Sequence, residues 1–247
     1  MSVHVPVDTA ILYFGTPVVL ISTLNEDGSP NLAPMSSAWW LGWGCMLGLT
    51  SGSKTTENLL RTGQCVLNLP SAEQVAAVDR LAMTTGSNPV PAYKQTMGFQ
   101  HVADKFGRAG LTPMGSDLVA PPRVVECPVQ MEAELNVEHK FGIGNPRIRT
   151  SISAIEVRIV RVHIDECIQM SGEPDRIDPD KWRPLIMSFR QFYGLGEKLH
   201  PSRLSEFPEA LFKPRPAGVG GRVVSMPDSI TPCSFESDSS NINRRND

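Results

Sequence analysis

From Val129 to Val137 the chain alternates without a break: Val129, Met131, Ala133, Leu135 and Val137 are apolar and the residues between them are polar. Successive side chains of a strand point to opposite faces, so a period of two specifies a strand with one face in a core and the other toward water. Such a strand needs partners of its own kind, and the chain supplies them. Residues 18–24 are rich in β-branched side chains and are followed by Asp27-Gly28, a hairpin-turn signal. Residues 32–40 read as the returning strand, 45–50 as a third, 64–69 as a fourth and 124–127 as a further short one. Residues 148–164 alternate as well, with a change of phase near Val160 that predicts a bulge or bend. Many short strands, hairpin turns and few helices predict a mostly-β chain closed into an antiparallel barrel.

Between the strands lie a few helical signals. Residues 55–62 read as a short helix with Ser53 or Lys54 near its cap and Gly63 just past its end. Ser71 is placed to cap an amphipathic helix running to about residue 83, with Val75, Val78, Leu81 and Ala82 on its inner face. From 84 to 122 the pattern breaks up among glycines and prolines, and only 92–97 and 102–108 have a helical look. A loop of this length in a compact domain is functional or floppy. An aromatic-rich helix is predicted around 185–192, and the polar residues 234–247 read as disordered. The expected organisation is one barrel domain over 1–200, including the loop at 84–122, and a C-terminal extension over 201–247.

A chain of 247 residues can bury a full core. Its net charge of −3 gives no basic surface for nucleic acid. The longest apolar run, 38–49, is too short and glycine-rich to span a bilayer, and no basic-then-apolar leader opens the chain, so a cytoplasmic location is expected. Five cysteines lack any C-x-x-C spacing; Cys45, Cys65 and Cys127 stand in apolar surroundings, as buried reduced thiols do. The five histidines include no pair at metal-ligand spacing, and no metal site is expected.

The chemistry-bearing segment is Ser51-Gly-Ser53-Lys54-Thr55-Thr-Glu-Asn58, a hydroxyl-rich turn opening a helix. Helix-start N–H groups have no intrahelical partner and the helix dipole favours an anion there, so the turn can seat a phosphate, with Lys54 adding a cation; capping alone explains the same residues equally well. Upstream, Asn31-Leu-Ala33-Pro34-Met35-Ser36-Ser37 has the look of a strand edge, where free backbone can read a flat heterocycle or simply remain an edge.

These pieces, with residues 17–24 (PVVLISTL), the turn NEDGSP, and residues 53–69 (SKTTENLLRTGQCVLNL), come in the order and near the spacing of the flavin reductase-like family, which the chain resembles over about two-thirds of its length. The resemblance implies a split barrel that binds FMN, and a homodimer with the flavin near the subunit interface. It assigns the backbone of Ala33, Pro34, Met35 and Ser36, with Asn31 and Ser37 beside them, to the flavin ring and ribityl chain. It implies a contact from the Ser36 hydroxyl, Lys54 and Thr55 first at the phosphate with Ser51 and Ser53 as donors beside them, and Asn58 bracing the turn; where the family often has an acid before this threonine, Lys54 stands here.

The activity it implies is NAD(P)H-dependent flavin reduction, the reduced flavin being used in place or passed to a flavin-using monooxygenase. Two alternatives stay open. One is an FMN enzyme acting on a small organic substrate under the 84–122 loop; the other is a flavin- or haem-binding or electron-transfer module without catalysis. No catalytic side chain is identified. Where the family carries Gly-Asp-His facing the nicotinamide, Ile152-Ser-Ala-Ile-Glu156 stands here, which predicts slow direct reduction by NAD(P)H. Trp39, Trp40 and Trp43 are read as core or dimer interface rather than as a stacking platform. Residues 182–193 resemble a segment in which a tyrosine approaches the flavin, though packing explains them better.

Overall fold

The computed structural model of the chain describes residues 2–208. Seven strands form one sheet: β1 (Val19–Leu24), β2 (Pro30–Met35), β3 (Ala38–Leu41), β4 (Gly44–Thr50), β5 (Gln64–Leu69), β6 (Val129–Phe141) and β7 (Ile152–Ile164). Their order is β2-β1-β5-β6-β7-β4-β3, and every neighbouring pair is antiparallel. The two edge strands, β2 and β3, are consecutive in the chain and separated only by Ser36 and Ser37. That link spans at most about 11 Å, so the sheet must curl until its edges meet. The result is a split barrel, its seam bridged by covalent chain.

Local chemistry explains the joints. Gly28, at φ 80°, closes the β1–β2 turn, and the Asp27 carboxylate accepts from Ser29 N at 2.9 Å and from its hydroxyl at 2.6 Å. β6 and β7 run 13 residues each, and their ladder slips where Val160 and then Asn136 have no opposite partner. The phase change at Val160 is therefore a bulge, which bends this long ribbon around the barrel.

β1 is buried on both faces. Val19 and Ile21 enter the barrel core with Leu47, Leu49, Leu67, Ile155 and Val157, while Val18 and Leu20 enter a second core outside the barrel. That second core is filled by Val78, Leu81, Phe106, Ala109, Leu111 and Leu185. Two short helices, α2 (Val75–Asp79) and α4 (Lys105–Ala109), supply part of it, so they are pinned against the outer face of the sheet beside β2.

Several sequence expectations change. The strand expected over 32–40 breaks at Ser36–Ser37, because β2 pairs with β1 while β3 pairs with β4. The helix after Ser71 is a 3₁₀ turn followed by α2, ending at Asp79; Leu81 is buried beyond it and Met83 reverses the chain at φ 56°. The helix at 102–108 shrinks to α4, capped by Asp104, whose carboxylate accepts from Gly107 N at 2.8 Å. The strand at 124–127 is only Arg123–Val124. The helix around 185–192 is instead a hairpin, Ile186–Ser188 against Gln191–Tyr193, turning through Phe189 and Arg190 at φ 45° and 64°. Pairing of Ile186 with Pro17 and Tyr193 overrides the helical look.

Of the tryptophans, Trp40 packs against the barrel core, whereas Trp39 and Trp43 are 56% and 45% exposed on the edge strand and its turn. Cys45, Cys65 and Cys127 are buried free thiols, and burial pushes the Cys45 thiol up to about 12. No helix among the described residues is long and apolar enough to cross a membrane. The expectations for residues 209–247 lie outside the described residues.

Candidate functional site

The helix α1 (Lys54–Thr62) begins as its sequence requires: Ser53 Oγ accepts from Thr56 N at 3.2 Å, and Gly63 at φ 70° ends it. Behind its first turn lies a buried polar cluster. Asn58 Nδ2 donates to Thr23 Oγ1 at 3.2 Å and to Asn25 Oδ1 at 2.9 Å. Asn31 Nδ2 donates to Thr23 Oγ1 at 3.3 Å and Thr55 Oγ1 at 3.2 Å. Lys54 Nζ lies 3.2 Å from Glu26 and 3.1 Å from Glu57, so its charge is balanced within the protein. These bonds hold β1, β2 and α1 in one rigid unit.

In front of that unit a cleft of about 320 Å³ opens between β2 and the loop that follows α2. Asn31, Ala33, Pro34 and Met35 form one wall, with Ser53, Lys54 and Thr55 at one end. The opposite wall comes from the long loop and includes Thr85, Gly86, Lys94, Phe99 and Lys105. A Cβ on Gly86 would lie 2.6 Å from Asn31 Oδ1, so only glycine lets the loop approach β2 this closely.

The electrostatics of this wall differ from those of α1. Lys94, on α3 (Ala92–Thr96), donates to Thr85 Oγ1 at 3.2 Å, and its ammonium stands 6.0 and 5.8 Å from the ring centroids of Tyr93 and Phe99. Burial lowers its pKa. Lys105 is only 4% exposed, because Phe106 and Ala109 anchor α4 in the second core. Burial, assisted by the charge of Lys94, pushes its ammonium down to about 8. Among the described residues neither lysine has a salt-bridge partner. Asn31 Oδ1 and Ser87 Oγ are also buried without a hydrogen-bond partner among the described residues. Of these, Asn31, Lys94 and Lys105 line the cleft, whereas Ser87 lies beside it; native interiors rarely leave such polar groups unpaired.

The cleft gathers Asn31, Ala33, Pro34, Met35, Ser53, Lys54 and Thr55 as the sequence suggests. Ser36 falls instead in an adjoining pocket of about 140 Å³, lined otherwise by apolar side chains such as Val18, Val78, Met187 and Phe192. Ser37 Oγ pairs with Tyr13 Oη at 2.8 Å. Ser51 Oγ pairs with Ser153 Oγ at 2.9 Å at the end of β4. Asn58 stands behind the cleft as a brace. Sequence reasoning missed Thr85, Lys94, Phe99 and Lys105. One signal was present: Lys105 stands four residues before the buried Ala109, on the same helical face.

A second titratable group brings Asp117, Glu132 and His163 within 4.8 Å. Glu132 is fully buried and accepts from Asp117 N at 2.9 Å, Leu118 N at 2.6 Å and Val119 N at 3.2 Å, with His163 Nε2 at 2.7 Å. The Asp117 carboxylate lies 3.2 Å from Arg161. Its bonds are spent tying the far end of the long loop to β6 and β7.

The family profile described as Flavin reductase like domain matches residues 11–196. The chain belongs to the flavin reductase-like family. Among its relatives, the uncharacterized protein YdfE of Bacillus subtilis (strain 168) is 40% identical over 196 residues, 79% of this chain and 91% of that protein. Solved structures share the fold at lower identity. Flavoredoxin of Desulfovibrio vulgaris (Miyazaki F) superposes with a TM-score of 0.63 at 23% identity, covering 84% of this chain and all of that one. An FMN-binding domain of a flavin reductases-like enzyme from Shewanella baltica OS155 gives 0.56 at 18% identity, covering 76% of this chain and 90% of that one. A flavin-related oxidoreductase function follows from this membership.

Proposed function

We propose that the cleft binds FMN and that the chain is an NAD(P)H-dependent flavin reductase. The observation that carries the reading is the pair Lys94 and Lys105. Among the described residues these are two cations without carboxylate partners, on one wall of a cleft that also holds the unpartnered Asn31 Oδ1. A phosphate monoester answers the cations with up to two negative charges, and an amide or hydroxyl of the cofactor answers the amide oxygen. β2 pairs only with β1 among the described residues, so the other edge of Asn31–Met35 keeps backbone groups free for the ring and ribityl chain. Ser53 and Thr55 close the phosphate end, and Lys54, held by two glutamates, serves as rim rather than as principal charge.

FMN, when bound, supplies the hydride acceptor. The chain's part is to hold it, to exclude water from one side and to leave room for a donor; no acid or base is required of a side chain. Residues 152–156 offer no imidazole, and Ser153 is bonded to Glu138 at 2.6 Å, so the nicotinamide lacks a dedicated platform and direct reduction is slow. A second copy of the chain covers Trp39, Leu41 and Trp43, which together expose more apolar surface than an edge strand should leave bare.

The adjoining apolar pocket supports a second reading, in which a small organic molecule is oxidised or reduced beside the flavin. Its volume of about 140 Å³ is close to that of an apolar cavity able to hold one six-membered ring. Two measurements test the proposal. FMN should bind at least about tenfold more tightly than riboflavin, since a charge-assisted hydrogen bond contributes ~1.5–3 kcal/mol; equal affinities remove the phosphate from the site. Anaerobic single-turnover bleaching with NADH and NADPH should be slow but saturable, and none at all with tight FMN binding favours the second reading.

A further inference from the structure

We infer that in alkaline solution FMN binding is coupled to the uptake of up to one proton from solvent, with Lys105 as the group that charges. The inference rests on the FMN reading of the cleft and deepens it: Lys105 becomes a proton-linked part of the phosphate seat rather than a passive wall residue.

The geometry leaves Lys105 little other counterion. It is 4% exposed, and no carboxylate bonds to it among the described residues. α2, which packs against α4, carries the exposed Asp79, and the segment leading into α4 carries the exposed His101. α3 contributes Lys94, a second cation that opposes its protonation. α1 and the β1–β2 turn contribute Lys54, Glu57 and Glu26, which are paired with one another. Beyond the end of α2, Arg80 donates to the Ala109 carbonyl. Within its own helix, the Asp104 carboxylate is occupied by Gly107 N, and Arg108 Nε donates to the Arg80 carbonyl. β2 contributes no charged side chain. An amine enclosed in this way is held down to about 8 by burial and by Lys94.

A phosphate dianion in the cleft reverses that balance, because it favours the ammonium form of both lysines. Phosphate esters lose their second proton near pH ~6, so above neutrality the ligand brings the full negative charge and no proton of its own. The step is then R–NH₂ + H⁺ → R–NH₃⁺ at Lys105 Nζ, driven by the arriving anion. Linkage fixes the sign: affinity is flat while Lys105 is already charged in the free protein, and falls by up to about tenfold per pH unit above its free-state pKa.

Isothermal titration calorimetry with FMN, at pH 7, 8 and 9 and in buffers of different ionisation enthalpy, tests this on the full chain. The expected result is little proton uptake at pH 7, about half a proton at pH 8 and most of one at pH 9, with affinity about fivefold weaker at pH 9 than at pH 8. Riboflavin, lacking the phosphate, should show neither effect. Lys105→Met should still bind FMN, more weakly at pH 7, with no uptake and no slope, while Lys54→Met should keep both. FMN binding without uptake at pH 9 in the unmodified protein overturns the inference and leaves the FMN reading intact. The inference falls equally if Lys105→Met keeps the slope or if Lys54→Met loses it. Absence of FMN binding at pH 7 overturns the FMN reading, and this inference with it.

Discussion

The two walls of the cleft are built from the same kinds of residue and have opposite electrostatic character. On the α1 side, Asn31, Thr55 and Asn58 bond to one another or to β1, and Lys54 is neutralised by Glu26 and Glu57. On the loop side, Lys94 and Lys105 have no salt bridge among the described residues; Lys94 donates to the neutral hydroxyl of Thr85 and feels a carboxylate, Glu57, only through space. Polar groups satisfied by their own fold have little left to offer a ligand; those left unsatisfied bear the desolvation cost until one arrives. In the proposed reading the first wall frames the cofactor, offering the free edge of β2 and Asn31 Oδ1, and the second supplies the charge for its phosphate.

The largest expected effect belongs to the loop wall. Lys94→Ala combined with Lys105→Met should weaken FMN binding more than about 100-fold at pH 7, two charge-assisted bonds at ~1.5–3 kcal/mol each being lost; a change under tenfold in fluorescence titration breaks the comparison. Next comes the frame. Asn58→Ala removes two hydrogen bonds donated within a buried cluster and one accepted from Arg61, and should cost ~2–3 kcal/mol of stability, read as a lower denaturation midpoint. Lys105→Met on its own should act in the other direction on the free protein. A lysine at about 8 when folded and ~10.4 when unfolded penalises the fold most below pH 8, and the penalty fades as pH rises to the unfolded value. The variant should therefore be more stable than its parent by on the order of 2 kcal/mol at pH 7, with the gain gone above pH ~10.4. Lys54→Ala should have the smallest effect, under about fivefold on FMN affinity, because a partly exposed ion pair contributes ~1 kcal/mol or less.

What was legible in the sequence is what depends on local pattern. The strand from Val129, the bulge at Val160, the turn at Asp27-Gly28 and a cap at Ser53 or Lys54 are each written in a few adjacent residues and found; the water-facing side expected of the strand is not, because Gln130 and Glu132 are buried there and Val137, past a second bulge, is exposed. The hairpin at 186–193 was hidden because its turn uses Phe189 and Arg190 at positive φ instead of glycine or asparagine. The β2–β3 break was hidden because it follows from which strands pair, not from residues 36 and 37 themselves. Of the residues lining the cleft, those of β2 and the start of α1 could be picked out from the sequence. Lys94 could not, and Lys105 only through its helical phase with Ala109, since its burial depends on Phe106, Ala109 and Leu111 packing against strands far away in the chain.

The order of strands also dictates how the protein must be assembled. Residues 19–69 make two flanks, β2-β1-β5 and β3-β4, which share no ladder with each other. The ribbon β6–β7 joins them, pairing with β5 on one side and β4 on the other, with partners such as Leu47 and Ile155 about a hundred residues apart. A nascent chain lacking this ribbon exposes two open strand edges at once, both apolar and both templates for another chain. Folding that waits for such distant partners is slow. Residues 129–164 act as a keystone, and until they leave the ribosome the finished N-terminal half is at its greatest risk of aggregation.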